Sequence, residues 1–203
     1  MTIAITGPFA SGKSTFVRFL GELGAETASA DEIVHHLLQY DLHVIARIAE
    51  RFGERVRGTT GIDRKVLGSE VFGAPEALAD LEGILHPLVR RETDRRIGVS
   101  GAELFVAEIP LLFETRWGEG FDYTVAVVVP QERRRAWAEQ RGVDEAALRS
   151  IEARQLSGEE KAGRADLVVH NDGDLDRLKV QAQQLWRRIS RERGPGGSVR
   201  QET

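Results

Sequence analysis

Eight consecutive residues, Gly7-Pro8-Phe9-Ala10-Ser11-Gly12-Lys13-Ser14, carry the spacing G-x-x-x-x-G-K-[ST]. The backbone N–H groups of such a loop, with the positive end of the following helix, form a cradle for the phosphates of a nucleoside triphosphate. Lys13 is placed to reach the β- and γ-phosphates, and the Ser14 hydroxyl to ligate Mg²⁺. Pro8 has no N–H, so the cradle is expected to run from Ala10 onward, through Ser11, Gly12, Lys13, Ser14 and Thr15. These are the candidate ATP contacts.

Phosphoryl transfer also needs a group that receives or orients the acceptor hydroxyl. Asp31 directly follows a short strand candidate, Glu26 to Ser29, where a carboxylate suits a general base. It also falls in the first turn behind Ser29-x-x-Glu32, a capping-box spacing in which it would only favour the helix dipole. Spacing alone leaves both roles open. Glu108 ends an apolar run that would carry a Walker B acid, holding Mg²⁺ through water, and is otherwise a solvated strand-end acid. Glu114 lies at the same mouth.

Cations follow in one late stretch: Arg133, Arg134, Arg135, Arg141, Arg149 and Arg154, then Lys161 and Arg164. A lid closing such cations over the developing charge also excludes water, although any single arginine is most simply a solvated helix face. The five histidines show no metal-ligand spacing. His86 stands before Pro87 and is expected to end a helix, as a cap or packing residue.

These groups need a frame. The chain has 203 residues, 41% apolar and 30% charged, enough for one compact domain with a real core. A formal charge of −4 gives no electrostatic case for nucleic acid or an anionic membrane. The absence of cysteine excludes disulfides, thiolate zinc sites and a cysteine nucleophile. No run approaches the roughly 20 apolar residues that span a bilayer, and the N-terminus lacks a signal-peptide pattern, so a cytoplasmic location is expected.

Short apolar runs at Ile3 to Ile5, Leu104 to Ala107, Tyr123 to Val129 and Leu167 to Val169 suit strands buried on both faces. Helical patterns alternate with them, the first closing at Gly24, which argues for an α/β fold. The expected architecture is a five-stranded parallel sheet with helices on both faces, in a single domain over 1–190. Its core takes 1–31, 101–130 and 164–190. A helical insertion covers about 32–100, with Pro75 starting one helix and Gly98 ending another, and a helical lid covers about 131–163. Residues 191–203, with Gly-Pro-Gly-Gly-Ser and no apolar anchor, read as a disordered tail.

Several motifs together resemble the dephospho-coenzyme A kinase family, over Ile3 to about Ile189. The loop from Gly7 to Thr15 is similar to that family's G-x-x-x-S-G-K-S-T, and Ser29-Ala30-Asp31 to its D-A-D. Ile84-Leu85-His86-Pro87 matches its L-H-P, Pro110-Leu111-Leu112-Phe113-Glu114 its P-L-L-F-E, and Gln155 to Lys161 its Q-x-x-x-E-x-K. Asn171-Asp172-Gly173 matches a late N-[DN]-G turn. The resemblance implies a P-loop core, a coenzyme A-binding insertion and a lid, in a monomer or weak homo-oligomer. It implies ATP-dependent phosphorylation of the ribose 3′-hydroxyl of dephospho-coenzyme A, the last step of coenzyme A synthesis. It makes Asp31 the base, Arg141 the lid cation, Asn171 a nucleotide contact, and His86, Pro110, Leu111, Leu112 and Glu114 acceptor-side residues. Three departures stand out: Ser29 replaces an acid, Pro8 and Ala10 replace loop glycines, and Gln140-Arg141-Gly142 stands where R-x-G is usual. A nucleotide-acting or shikimate-type kinase is the nearest rival. A guanine-reading switch would show N-K-x-D, which is absent.

Overall fold

The computed structural model describes residues 1–192: Arg191 and Glu192 of the expected tail close the last helix, and the rest of that tail, 193–203, lies outside the described residues. In chain order the elements are β1 (Thr2–Thr6), α1 (Lys13–Glu22), β2 (Glu26–Ser29), α2 (Ala30–Tyr40), α3 (Leu42–Phe52), α4 (Arg64–Val71) and α5 (Pro75–Val99). They continue with β3 (Phe105–Glu108), β4 (Tyr123–Val128), α6 (Gln131–Gln140), α7 (Glu145–Glu152), α8 (Gly158–Arg164), β5 (Leu167–His170) and α9 (Leu175–Glu192). The expected α/β fold is present, as one five-stranded sheet in the order β2-β3-β1-β4-β5. No described helix is long and apolar enough to cross a membrane.

The chain divides into two compact units, residues 28–100 and the remainder. In the larger unit, β1 lies between β3 and β4, parallel to both, and β4 is parallel to β5. Parallel strands inside such a sheet are covered on both faces, which is why Ile3, Ala4, Ile5, Val125, Ala126 and Val127 are all fully buried. Phe16 and Leu20 from α1 and Leu178, Ala182 and Leu185 from α9 complete that core. The register aligns Ile5 with Glu108 and Val128 with His170, so the segments following β1, β3, β4 and β5 all leave from one edge of the sheet. Ligands of open parallel sheets bind at that carboxyl edge. Helix α1 closes as the sequence suggests: Ala25 N–H bonds to Leu20 O and Gly24 N–H to Gly21 O, the paired bonds of a Schellman end.

The smaller unit has its own core, in which Leu38, Val44, Ile45, Ile48 and Phe52 from α2 and α3 meet Leu67, Ile84 and Leu85 from α4 and α5. One expectation fails here. His86 does not end a helix, because α5 runs unbroken from Pro75 to Val99 with Pro87 inside it. Pro75 and Gly98 therefore belong to opposite ends of one helix rather than to two. Pro87 lacks an N–H and its ring crowds the carbonyl four residues back, a penalty that breaks an isolated helix. That carbonyl belongs to Gly83, which has open space around its Cα, and Ile84, Leu85 and Val89 are buried on both sides of the proline. Tertiary packing overrides local preference. The capping-box spacing at Ser29 is half used, with Ser29 Oγ accepting from Glu32 N–H at 3.4 Å.

On α5, hydrogen bonds from Arg95 and Arg96 hold the Glu92 carboxyl down to about 2 from an ordinary 4.5. A carboxylate with a depressed folded-state pKa contributes stability that is complete above 4.5 and is lost as pH falls toward 2. Glu92→Gln should therefore lower the melting temperature most above pH 4.5 and converge on the wild type as pH falls toward 2, which flattens the acid limb across that window. Thermal melts of both proteins against pH measure the difference.

Candidate active site

The phosphate-type loop leaves β1 in a conformation that ordinary side chains resist. Gly7 has φ +151, and a Cβ there would lie 2.2 Å from Val127 O on the adjacent strand. Gly12 has φ +89, and a Cβ there would lie 2.2 Å from Asn171 Nδ2. Between them Ala10 holds φ 57, a left-handed value uncommon outside glycine. Glycine at 7 and 12 is a consequence of close approach as well as of φ.

The polar groups of the loop are specifically disposed. Lys13, almost fully buried, donates Nζ to Pro8 O at 3.0 Å. The Ser11 N–H bonds to Pro8 O at 3.2 Å, while Ser11 Oγ is buried with no hydrogen-bond partner. Helix α1 starts at Lys13 behind Gly12, with no side chain capping its first amides. Uncapped amides at a helix N-terminus, a buried cation and an orphaned hydroxyl make a site whose unmet need is an anion.

Ser14 Oγ donates to Glu108 Oε1 at 2.9 Å, so the structure brings together the two residues expected to hold Mg²⁺. No cluster of three or more His, Asp or Glu suited to a metal occurs among the described residues. One hydroxyl and one carboxylate suit an ion that takes most of its ligands from phosphate and water. The residues present fit a magnesium–triphosphate.

Asn171 follows β5 and braces the loop. Its N–H continues the ladder to Val128 O at 2.7 Å, and its buried Nδ2 donates to Ser11 O at 2.9 Å. Beside it opens a cleft of about 650 Å³, lined among others by Gly12, Thr15, Trp137, Arg141, Asn171 and Gly173. Of the late cations, Arg141 lines this cleft. Arg133 donates to Gly173 O at 2.7 Å, Arg134 pairs with Glu152, Arg149 with Glu145, and Arg154 bonds to Ser150 O.

Lys161 is not an exposed lid cation. It is fully buried, donating to Pro110 O at 2.7 Å and to Glu114 at 2.7 and 3.0 Å, with Thr6 Oγ1 at 3.5 Å. Burial pushes its pKa down, and the Glu114 carboxylate opposes that shift. Glu114 also accepts the Leu156 N–H at 2.8 Å. Leu112 is wholly buried, whereas Pro110 and Leu111 are partly exposed.

Asp31 and His86 belong to the smaller unit. Asp31 is exposed in the first turn of α2, and His86 is partly buried within α5. Within that unit a second cavity, of about 450 Å³, is lined by His35, Gln39, Thr60, Asp63, Arg64 and Lys65 with two apolar residues. The sequence reading overlooked Thr6, Trp137 and the glutamine of the late motif. Gln155 Oε1 accepts the Phe9 N–H at 3.1 Å, a link between distant residues that no local pattern announces.

Comparison with known proteins places these features in a family. The family model described as dephospho-CoA kinase matches residues 1–177. A dephospho-CoA kinase of Protochlamydia amoebophila is 37% identical over 193 residues, covering 92% of this chain and 95% of that protein. One of Symbiobacterium thermophilum is 38% identical over 190 residues, covering 91% and 80%. Among solved structures, a Thermus thermophilus protein is 32% identical with TM-score 0.79, covering 93% of this chain and 97% of its own. The Campylobacter jejuni dephospho-CoA kinase is 27% identical with TM-score 0.71, covering 94% and 97%. A shikimate kinase of Acinetobacter baumannii, at 15% identity and TM-score 0.55, shares the fold. With its phosphate loop, its paired Ser14 and Glu108, and a family match over most of its length, this chain belongs to the dephospho-CoA kinase family.

Proposed function

We propose that the enzyme transfers the γ-phosphoryl group of ATP to the ribose 3′-hydroxyl of dephospho-coenzyme A, giving coenzyme A and ADP. The observation that carries this reading is the loop from Gly7 to Thr15, with its buried Lys13 and open helix end, in a chain of this family. The loop amides from Ala10 through Thr15 cradle the phosphates, except the Ser11 amide, which turns back to Pro8 O. Lys13 exchanges Pro8 O for phosphate oxygen. Ser14 and Glu108 hold Mg²⁺, which when bound neutralises charge on the β- and γ-oxygens. The cleft beside Thr15 takes the adenosine half, with Arg141 closing on the phosphates and Asn171 keeping the loop in place.

Asp31 is the base: its carboxylate takes the proton of the 3′-hydroxyl as that oxygen attacks the γ-phosphorus and ADP departs. An exposed carboxylate in the first turn after β2 supports this role. The unit 28–100, with His86 and the polar cavity around Arg64 and Lys65, serves the acceptor. Pro110 and Leu111 face the acceptor, while Leu112 and Glu114 hold that segment in place. Residues 131–163 act as the lid. A cytoplasmic location suits an enzyme that consumes ATP and releases a soluble cofactor.

A coupled ATP-consumption assay over a small acceptor panel tests the reaction. Turnover should require dephospho-coenzyme A, and equal rates with shikimate or a nucleoside monophosphate would refute the assignment. Lys13→Ala should abolish transfer. Asp31→Asn should lower kcat by roughly 10²–10⁴-fold with an unchanged melting temperature, whereas a loss of stability alone would make Asp31 a helix-end residue. Gly12→Ala should cost about 1–3 kcal/mol, from left-handed strain and collision with Asn171. Adding Asn171→Ala should relieve part of that loss in denaturant melts.

A further inference from the structure

The phosphate loop is unusual in what it must hold without help from glycine. Ala10, not glycine, occupies the left-handed conformation at φ 57, a state that persists only where surrounding structure enforces it. Pro8 offers no N–H to anchor the turn, and its carbonyl already serves Lys13 and the Ser11 amide. Apolar packing supplies part of the restraint, since Ala10 and Phe9 sit with Trp137, Ala138 and Leu148 from α6 and α7. Polar restraint comes from Lys13 on Pro8 O, from Asn171 on Ser11 O and, on the residue next to Ala10, from Gln155. The Phe9 N–H, immediately before the strained residue, donates to Gln155 Oε1 at 3.1 Å.

Gln155 is itself held. The next residue, Leu156, donates its N–H to Glu114, and Glu114 is locked by the buried Lys161 of α8. Between them Ser157 and Glu160 form a reciprocal capping box at the start of α8. A buried ion pair and a capped helix thus fix the backbone on which Gln155 stands, and its carbonyl oxygen fixes Phe9.

We infer that Gln155 is a positioning residue for the donor site: by accepting the Phe9 N–H it holds Ala10 in its left-handed conformation and so pre-forms the phosphate cradle. The bond is retained when nucleotide binds, because the Phe9 amide points at the lid segment and the cradle proper begins at Ala10. Lid and loop are therefore joined before any substrate arrives. The inference rests on the reading of the loop as the ATP site.

The test uses Gln155→Met, which keeps the length and removes the acceptor, and Gln155→Glu, which restores an acceptor oxygen. Gln155→Met should raise KM for ATP about tenfold, the worth of one amide hydrogen bond, with KM for dephospho-coenzyme A within twofold of wild type. The melting temperature should stay within about 2 °C, since a partly exposed polar contact adds little to global stability. Gln155→Glu should recover most of the ATP affinity. Amide exchange at Phe9 should be slow in the wild type, with or without nucleotide, and fast in Gln155→Met. An unchanged KM for ATP, an equal rise in both KM values, or a large fall in melting temperature with unaltered Phe9 exchange each overturns the inference. If the wild type does not turn over ATP at all, it is the reading of the loop that fails, and the Phe9 exchange measurement still reports on the bond.

Discussion

A cradle for a triphosphate has to keep several backbone amides unpaired in a place where the rest of the chain is closely packed. Unpaired buried amides are expensive, and the left-handed turns that aim them inward add strain. Everything near β1 is organised around that constraint. The turn begins with Gly7 pressed against Val127 O and ends with Gly12 pressed against Asn171. The strand pairing that buries Ile3 to Ile5 therefore also sets the walls that hold the loop. The energy for the strain comes from the sheet and from the α1 and α9 helices that cover it.

The buried Lys161–Glu114 pair extends the same logic. A cation at full burial is stable only with its donors satisfied, and Lys161 finds two carboxylate oxygens, a carbonyl and a nearby hydroxyl. Replacing such a pair with apolar residues is often harmless to stability, so its value lies in specificity of position. Here it ties α8 to the turn after β3 and to the end of β1, three segments far apart in sequence. Pro110 illustrates the economy: one carbonyl oxygen accepts from both Thr6 and Lys161.

The legible parts of the sequence were those with a local signature. Four of the five strands announced themselves as short apolar runs bounded by turn residues, β2 (Glu-Thr-Ala-Ser) being only a weak candidate, and the Schellman end at Gly24 and the opening of α1 at the loop were equally local. The phosphate loop was readable because its chemistry demands fixed residues at fixed spacing. Pro87 was misread because its local preference is real, and only the burial of Ile84, Leu85 and Val89 around it outweighs that preference. Lys161 looked like one more lid cation, since sequence does not reveal that Glu114 lies opposite. The role of Gln155 is not legible in its motif, because its partner is an amide at Phe9, and every residue but proline has an amide.

The proposed magnesium site at Ser14 and Glu108 shows how far the division of labour would go. Ser14 and Glu108 supply one hydroxyl and one carboxylate, too few hard oxygens to hold a small dication against its own hydration. A fuller carboxylate cage would bind the ion tightly without nucleotide and would repel the phosphates it is meant to accompany. With the sparse set, an ion held there would depend for its affinity on the phosphate oxygens that arrive with it. The same economy holds for charge: on the proposed reading a chain of net −4 takes a polyanion with Lys13 and Arg141, while neighbouring arginines bond to Gly173, Glu152 and Glu145. Counting arginines therefore overstates the positive field of the segment 131–163, because Arg134 and Arg149 are neutralised by Glu152 and Glu145.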